Sequence, residues 1–189
     1  TDMELTDRLI ASESGISADK LKGKVKMNPE EWVVLEQSIK RLVKAPLYID
    51  ETPGITLTEF TAKAKRLVRE KGVKIIFVDY LQLMHSGKPQ QGGFSKVQEV
   101  TEISNTLKTT AKDLKVPIIA LAQLNRNLMS RAGSNGKPVL SDLKDSGSIE
   151  QDADMVIFIH RPGMVGMSED LTEAEILIAK NRSGKVGSI

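Results

Sequence analysis

The apolar residues of this chain follow two alternating patterns. In three stretches they recur at intervals of three and four residues, the spacing of an amphipathic helix. In the shorter runs between them they are mostly consecutive and β-branched, as in strands buried on both faces of a parallel sheet. The pattern predicts helices within residues 28–46, 56–72 and 97–114, and strands at 47–50, 74–79, 116–123, 154–160 and 175–180. Strands that alternate with helices indicate an α/β fold with a mostly parallel sheet.

Capping residues mark the limits of the first two helices. Asn28 suits the N-cap of the first helix, and Pro29 suits its first helical position. Thr56 and Glu59 have the spacing of a capping box at the start of the second helix. Gly72 suits the left-handed residue that ends it. These signals predict where both helices begin and where the second one stops.

Composition narrows the class of protein. The chain has 189 residues, of which 40% are hydrophobic and 28% charged, as is usual for a globular domain. A net charge of +2 is too small to indicate a nucleic-acid partner by itself. The lack of cysteine excludes disulfides and thiolate metal sites. No apolar run approaches the roughly 18 residues of a membrane span, and no signal-peptide pattern occurs, so we expect a cytoplasmic protein without a membrane partner.

Polar residues stand at the ends of three predicted strands. Asp79 ends one strand, Gln123 ends the next, and Lys180 and Arg182 lie where the last one ends. The carboxyl ends of parallel strands face a ligand crevice, so these positions are candidates for chemistry. The residues alone leave the roles open, because Asp79 fits a Mg²⁺ site or a turn, and Gln123 fits a phosphate or loop backbone. Lys180 and Arg182 alternate along the strand and therefore point the same way, toward one anion or toward solvent.

Four segments occur in the order "IIFVDYLQLM", "ALAQLNR", "SDLKDSGSIEQDAD" and "IAKNRSG". The first resembles a Walker B strand, the second a sensor strand with its glutamine, and the last a segment that holds an arginine finger. As an ordered set they resemble the C-terminal motor domain of DnaB-type replicative DNA helicases, over nearly the whole chain. The resemblance implies a RecA-like P-loop ATPase core. For the intact protein it implies ATP hydrolysis coupled to translocation on single-stranded DNA and to duplex unwinding.

The resemblance also implies roles for the residues at the strand ends. Asp79 is expected to associate with Mg²⁺, and Gln123 is expected to sense the γ-phosphate of ATP. Lys180 and Arg182 are expected to act in trans, completing the site of the neighbouring subunit in a ring-shaped homo-hexamer. Primase and a helicase loader are the further partners that the family implies.

The segment Lys144, Asp145, Ser146 and Gly147 resembles the loop by which the family grips single-stranded DNA. A lysine can contact phosphate, and a glycine lets the backbone approach the strand closely. The family more often has Arg and Glu where this chain has Lys144 and Asp145, which keeps the charges but loses bidentate geometry. The few aromatic residues fall mainly on apolar stripes or strands, so we expect a core role for them. DNA would then be held by its backbone without sequence preference.

The phosphate-binding loop of the family is missing from this chain. Gly-Lys dipeptides begin at positions 23, 87, 136 and 184, and none fits the pattern G-x-x-x-x-G-K-[ST]. We therefore expect an excerpt that starts after the Walker A loop, with a helical segment at 1–46 and a sheet-bearing core at 47–189. The N-terminal part of the RecA-like core would be absent. Alone, such a chain is expected to lack ATPase activity and, because of an unpaired strand edge, either to self-associate or to unfold with weakened cooperativity.

Two other functions remain open at this point. One is a different RecA-fold ATPase of DNA repair or recombination, which would share Asp79 and Gln123 but lack the pairing of "SDLKDSGSIEQDAD" with "IAKNRSG". The other is a regulatory binding module without a P-loop, which would not hydrolyse ATP. A GKT or GKS loop encoded within about 30 residues upstream, the length of one βα unit, would favour the helicase.

Overall fold

The computed structural model describes residues 2–87, 95–125, 137–143, 147–166 and 168–189. The chain divides into two units, Thr1–Pro53 and Gly54–Ile189. The first unit is helical, and the second contains both sheets and all the strand-end residues introduced above. Our division into a segment at 1–46 and a core at 47–189 stays a prediction.

The first unit contains the three helices α1 Asp2–Ser14, α2 Ala18–Leu21 and α3 Pro29–Lys44. The predicted cap of α3 is present, because the Asn28 side chain accepts a hydrogen bond from the Glu31 N–H at 2.8 Å. The Glu31 carboxylate in turn accepts from the Asn28 N–H at 3.0 Å, which completes a capping box. Leu35 of α3 is buried, and Arg41 pairs with Glu13 of α1 at 2.6 Å. The capping box and the burial of Leu35 therefore fix α3, whereas Trp32 and Ile39 on the same apolar stripe stay exposed.

The strand predicted at 47–50 is wrong, since these residues have no regular secondary structure. A strand needs a neighbour that pairs its N–H and C=O groups. Here the Asp50 carboxylate accepts hydrogen bonds from the N–H and the hydroxyl of Thr52, at 3.0 and 2.6 Å, which is turn geometry. Leu47, Tyr48 and Ile49 remain largely exposed.

The second unit contains three α-helices, five strands and short 3-10 turns among its described residues. The helices are α4 Leu57–Lys71, α5 Lys96–Leu114 and α6 Gly147–Asp152. The strands are β1 Ile76–Val78, β2 Ile118–Ala120, β3 Met155–His160, β4 Glu175–Asn181 and β5 Gly187–Ser188. The 3-10 turns span Leu81–Leu83, Leu140–Asp142 and Pro162–Val165. The predicted capping box of Thr56 and Glu59 opens α4, and Gly72 ends it at φ 66°.

The strands form two sheets rather than one. β1 and β2 pair in parallel, with Ile76 opposite Ile118, as the α/β pattern predicts. β3, β4 and β5 form a separate sheet, in which both pairings are antiparallel. We expected the later strands to belong to a mostly parallel sheet, and that expectation is wrong for the described pairings of β3 to β5. The connection from β3 to β4 contains no α-helix among its described residues, which permits an antiparallel return.

Helix α5 forms the centre of the core. Its Val100 and Ile103 are fully buried and lie in one cluster with Leu81 and Phe158.

The prediction that the first strands are covered on both faces is wrong for this chain. Phe77 of β1 is 63% exposed, and Ile75 and Ile119 are also exposed. The core cluster around α5 covers only the opposite face of these strands. The expectation that aromatic residues lie mainly in the core therefore fails for Phe77. It also fails for three more exposed aromatics, Trp32, Tyr48 and Tyr80.

Candidate functional site

The carboxyl ends of β1 and β2 lie side by side. The N–H of Leu121 donates to the Val78 carbonyl, and the N–H of Leu81 donates to the Leu121 carbonyl, both at 2.9 Å. Parallel pairing thus continues past the strands and brings the segments of Asp79 and Gln123 to one side of the sheet. Both side chains belong to exposed residues. We call these strand ends the open edge: Asp79, Gln82 and Gln123.

Gln82 is a residue of the open edge that the sequence analysis missed. Its Oε1 accepts a hydrogen bond from the Gln123 N–H at 3.2 Å. Its Nε2 is buried and has no hydrogen-bond partner among the described residues. Gln82 therefore ties the segment after β1 to the segment after β2. The available signal was a polar residue inside the otherwise apolar "LQLM".

The open edge offers oxygen ligands rather than a preformed metal cage. Within the described ranges, no group of three or more His, Cys, Asp or Glu residues is arranged to hold a metal ion. Asp79 contributes one exposed carboxylate. Magnesium fits such a donor, because it retains several waters and takes its remaining ligands from one or two carboxylates and a phosphate. The carboxamide of Gln123 can donate to a phosphate oxygen from the neighbouring strand.

A backbone ladder leads from the open edge toward the predicted DNA segment. The Asn125 N–H donates to the Asp142 carbonyl at 2.8 Å, and Leu124 forms an antiparallel bridge with Leu143. Leu143 is buried in the core cluster, so this contact is anchored. Of the predicted DNA contacts, Lys144, Asp145 and Ser146 lie outside the described residues. Gly147, the last of the four, is the first residue of α6.

Lys180 and Arg182 lie at the end of β4, which belongs to the other sheet. The Lys180 ammonium donates to the carbonyls of Glu150 and Gln151, the latter at 3.3 Å, and the Arg182 guanidinium donates to the Gln151 carbonyl. Both cations thus donate to the same carbonyl, that of Gln151, while their action on a phosphate stays a prediction. In this structure the target is the carboxyl-terminal turn of α6, whose carbonyls carry partial negative charge.

Asp154 adds a carboxylate to this group, and the sequence analysis assigned it no role. Lys108 of α5 donates to one carboxylate oxygen, and Nη1 of Arg182 lies 3.7 Å from the other. Lys108 holds the pKa of Asp154 below its ordinary value, and Arg182 and Lys112 act in the same direction. We call these four side chains the cation network: Lys108, Asp154, Lys180 and Arg182.

Glu99 is a second carboxylate with several partners, and it lies in the core side of α5 rather than at a strand end. It is only 6% exposed. Lys96 donates to it at 2.9 Å, and the Ser86 N–H and the ring of His85 lie 3.4 Å from its other oxygen. Burial raises the pKa of Glu99, but the hydrogen bonds outweigh burial and leave the pKa below its ordinary value.

The described surface has no deep cavity at the predicted residues. Two shallow grooves, of about 520 and 820 Å³, run along α4 and are not lined by any residue of the open edge or the cation network.

Among the residues that the structure describes, no helix combines the length and apolarity that crossing a bilayer requires.

Comparison with known proteins gives a match along the whole chain. The family model described as the DnaB-like helicase C-terminal domain matches residues 1–189. The replicative DNA helicase DnaB of Mycobacterium intracellulare is 42% identical over 188 residues, which are 98% of this chain and 31% of that protein. The DnaB of Geobacillus stearothermophilus is also 42% identical, over 98% of this chain and 40% of its own length. This chain thus spans about a third to two fifths of these relatives.

Solved structures agree in fold. A DnaB-like replicative helicase, described together with its interactions with primase, matches 97% of this chain and 43% of its own at a TM-score of 0.84 and 32% identity. A second structure, described as an ATPase domain, matches all of this chain and 66% of its own at a TM-score of 0.87 and 31% identity. The prediction of an α/β, RecA-like core is confirmed by these matches. The repair ATPase and the module without hydrolysis are not favoured.

Proposed function

This chain belongs to the DnaB-like helicase C-terminal domain family, and we propose that it is part of the motor of a replicative DNA helicase. In the full-length protein, ATP hydrolysis would drive translocation on single-stranded DNA and duplex unwinding. The observation that carries the proposal is the open edge, where two parallel strands bring an exposed carboxylate and an exposed carboxamide to one side of the sheet. In the binding of a nucleoside triphosphate, a carboxylate can bind the metal ion and a carboxamide can donate to a phosphate oxygen.

Within this proposal, Asp79 holds Mg²⁺ and Gln123 contacts the γ-phosphate of ATP or the attacking water. The metal ion, when bound, neutralises charge on the phosphate oxygens. Gln82 keeps the Gln123 backbone in place through the hydrogen bond at 3.2 Å. The pattern G-x-x-x-x-G-K-[ST] does not occur in the 189 residues, so the phosphate-binding loop would come from another part of the protein.

Lys180 and Arg182 act on the phosphates of a neighbouring subunit in the proposed enzyme. A guanidinium presents several N–H donors in a planar fork, which suits the oxygens of a transferring phosphoryl group. The exposure of the Arg182 side chain, 50%, supports this role, because donors remain available beyond those bound to α6. The two cations would thereby complete a site that one copy of the chain forms only in part.

The segment Lys144, Asp145, Ser146 and Gly147 is proposed to bind single-stranded DNA. The backbone contacts of residues 124–125 with 142–143 support the proposal, because they connect this segment with the strand end of Gln123. A movement at the strand end of Gln123 would reach the segment 144–147 through these few hydrogen bonds. Contacts to phosphate and backbone, without base recognition, suit an enzyme that moves along any sequence.

The proposed assembly is a ring-shaped homo-hexamer, in which each interface joins an open edge to the Lys180 and Arg182 of the next copy. Primase and a helicase loader are the proposed protein partners. The primase proposal is supported by the likeness to a helicase described with its primase interactions. The proposed location is the cytoplasm, where a replicative helicase would meet its DNA.

The proposal is tested by Asp79→Asn in the full-length gene product. We expect loss of steady-state ATP hydrolysis and of duplex unwinding, because the amide cannot supply the negative charge that Mg²⁺ requires. Nucleotide binding, measured with a fluorescent ATP analogue, should change little. Asp113→Asn, an exposed aspartate of α5, is the matched control and should retain full turnover. Near-normal hydrolysis by the Asp79 variant would exclude the metal assignment.

A further inference from the structure

Asp154 joins three elements of the second unit. It lies between α6 and β3, and its main-chain carbonyl accepts a hydrogen bond from the Arg182 N–H at 2.9 Å. Its carboxylate contacts Lys108 of α5 on one oxygen and lies 3.7 Å from the Arg182 guanidinium on the other. Backbone and side chain of Asp154 therefore both face Arg182, so the base and the tip of this arginine are restrained by a single residue.

The contacts of Lys108 and Arg182 with Asp154 differ in exposure. The Lys108 side chain is 20% exposed, whereas those of Arg182 and Asp154 are 50% and 67% exposed. Lys108 thus approaches the carboxylate from the protein side, and Arg182 approaches it from the solvent side. The separation of 3.7 Å between Arg182 and Asp154 is that of an ion pair rather than a close hydrogen bond. Asp154 thus lies close to the guanidinium without using up its hydrogen-bond donors.

The charges around Asp154 do not cancel. Three cations, Lys108, Lys112 and Arg182, act on this one carboxylate. Lys180 adds a fourth positive charge and donates to the carbonyls of Glu150 and Gln151, while α6 itself carries the carboxylates of Glu150 and Asp152. Within the four side chains of the cation network there are three cations and only one carboxylate, that of Asp154, which is an excess of positive charge. Such an excess, held in a defined geometry, suits an anion that arrives from outside the chain.

We propose that Asp154 is a positioning residue, held by Lys108, which orients the Arg182 guanidinium before it meets the phosphates of the neighbouring subunit. This inference rests on the proposed function of Arg182. A free arginine side chain samples many rotamers, and fixing one of them at the moment of reaction slows the chemical step. Asp154 and the last carbonyls of α6 restrict these rotamers in advance. Asp154 does not itself touch the phosphate.

The first test measures ATP hydrolysis by the full-length gene product with single-stranded DNA present. Asp154→Ala is expected to lower kcat about tenfold with little change in KM, because orientation and not nucleotide binding is impaired. Asp154→Glu should recover part of the loss, since it restores a carboxylate. Asp113→Asn serves as the control and should match the wild type. An Asp154→Ala enzyme with wild-type kcat would overturn the proposal.

The second test separates positioning from a purely structural role. In an Arg182→Ala background, Asp154→Ala should lower kcat no further, because its effect passes through the arginine. The charge exchange Lys108→Asp with Asp154→Lys re-forms the pair between α5 and residue 154 but sets a cation beside Arg182. This double variant should regain the thermal stability of the wild type but not its turnover. Two outcomes would overturn the proposal. One is wild-type turnover in the charge-exchange variant, and the other is a further loss of kcat when Asp154→Ala is added to Arg182→Ala.

The same variants distinguish this inference from the proposed function. If Arg182→Ala alone leaves turnover intact, the assignment of Arg182 fails, and the role of Asp154 fails with it. If Arg182→Ala abolishes turnover while Asp154→Ala does not change it, the proposed function stands and only the positioning role is overturned.

Discussion

The open edge and the cation network carry the polar residues of the proposed site in opposite states. At the open edge, Asp79 and Gln123 are exposed, and the buried Nε2 of Gln82 has no partner among the described residues. In the cation network, Lys180 and Arg182 already bind carbonyls of α6. The comparison shows that the polar groups of one region are exposed to solvent, whereas those of the other are held by hydrogen bonds within the chain. A site assembled from two copies requires both properties.

The largest expected effect concerns the open edge by itself. Residues 1–189, purified alone, should show no detectable ATP hydrolysis with Mg²⁺ and single-stranded DNA, because no segment provides the glycine-rich loop that binds phosphate. A coupled assay sensitive to one turnover per hour or so is sufficient. If the fragment hydrolyses ATP and Asp79→Asn abolishes that activity, residues 1–189 contain a phosphate-binding loop after all. The open edge would then form a whole active site without a second copy.

The same fragment is expected to self-associate, since Phe77 and Ile119 leave an apolar face exposed beside unpaired strand edges in the described part of the sheet. Light scattering across a concentration series measures the association. Phe77→Thr should reduce it, because threonine keeps the strand propensity and removes most of the apolar area. A monodisperse wild-type fragment would mean that this face is covered.

The second effect concerns the cation network. Arg182→Ala in the full-length gene product should lower turnover by roughly 10³-fold, the low end for arginine fingers, with little loss of stability. Arg69→Ala, an exposed arginine of α4, is the control. The trans role is tested by mixing the Arg182 variant with a variant of the phosphate-binding loop. Mixed oligomers should regain activity, because one interface then carries both intact parts. Oligomers verified as mixed that regain no activity would mean that Arg182 acts in its own subunit or not at all.

The next prediction concerns Glu99, a buried carboxylate with hydrogen-bond partners, in contrast to the exposed Asp79. Glu99→Gln should lower the free energy of unfolding by about 1.5–3 kcal/mol at neutral pH, the usual value of hydrogen bonds to a charged group. The pKa of Glu99 is lowered in the folded state, so its contribution is present above the ordinary value of 4.5 and is lost as pH falls through the folded pKa. Below that pH the variant and the wild type should converge.

The measurement is the denaturation midpoint of both proteins from neutral to acidic pH. Glu70→Gln at the end of α4, an exposed glutamate, should change the midpoint little at any pH. A difference between Glu99→Gln and wild type that grows on acidification would contradict the assigned direction of the pKa shift.

The smallest effect concerns the segment joined to the open edge through residues 142 and 143. Lys144→Ala should weaken single-stranded DNA binding a few-fold and equally for all sequences, and the salt slope should fall by about 0.7 for each phosphate that the variant no longer neutralises. Fluorescence anisotropy with homopolymers at several salt concentrations gives both quantities. Lys137→Ala, whose side chain pairs with Glu175, is a nearby control. A strongly base-dependent decrease would indicate that the segment reads sequence.

Much of the local structure could be predicted from the sequence, because it depends on neighbours along the chain. Asn28, Thr56 and Gly72 mark helix limits that the structure reproduces, since caps bond within a few residues. Strands β1 to β4 lie within or next to the predicted apolar runs. The order of four motifs was sufficient for the family. The segment at 47–50 failed because an apolar run becomes a strand only where another strand pairs with it.

Contacts between distant residues were decided by the tertiary structure alone. The antiparallel pairing of β3 and β4 depends on how the chain returns, and the apolar runs of both strands are compatible with either direction. Gln82 reaches the Gln123 backbone, and Lys108 reaches Asp154, across 41 and 46 residues of sequence. No local pattern encodes such pairs. The sequence determined which residues carry charge at the strand ends, and packing of α5 and α6 against the sheets determined which of them have partners.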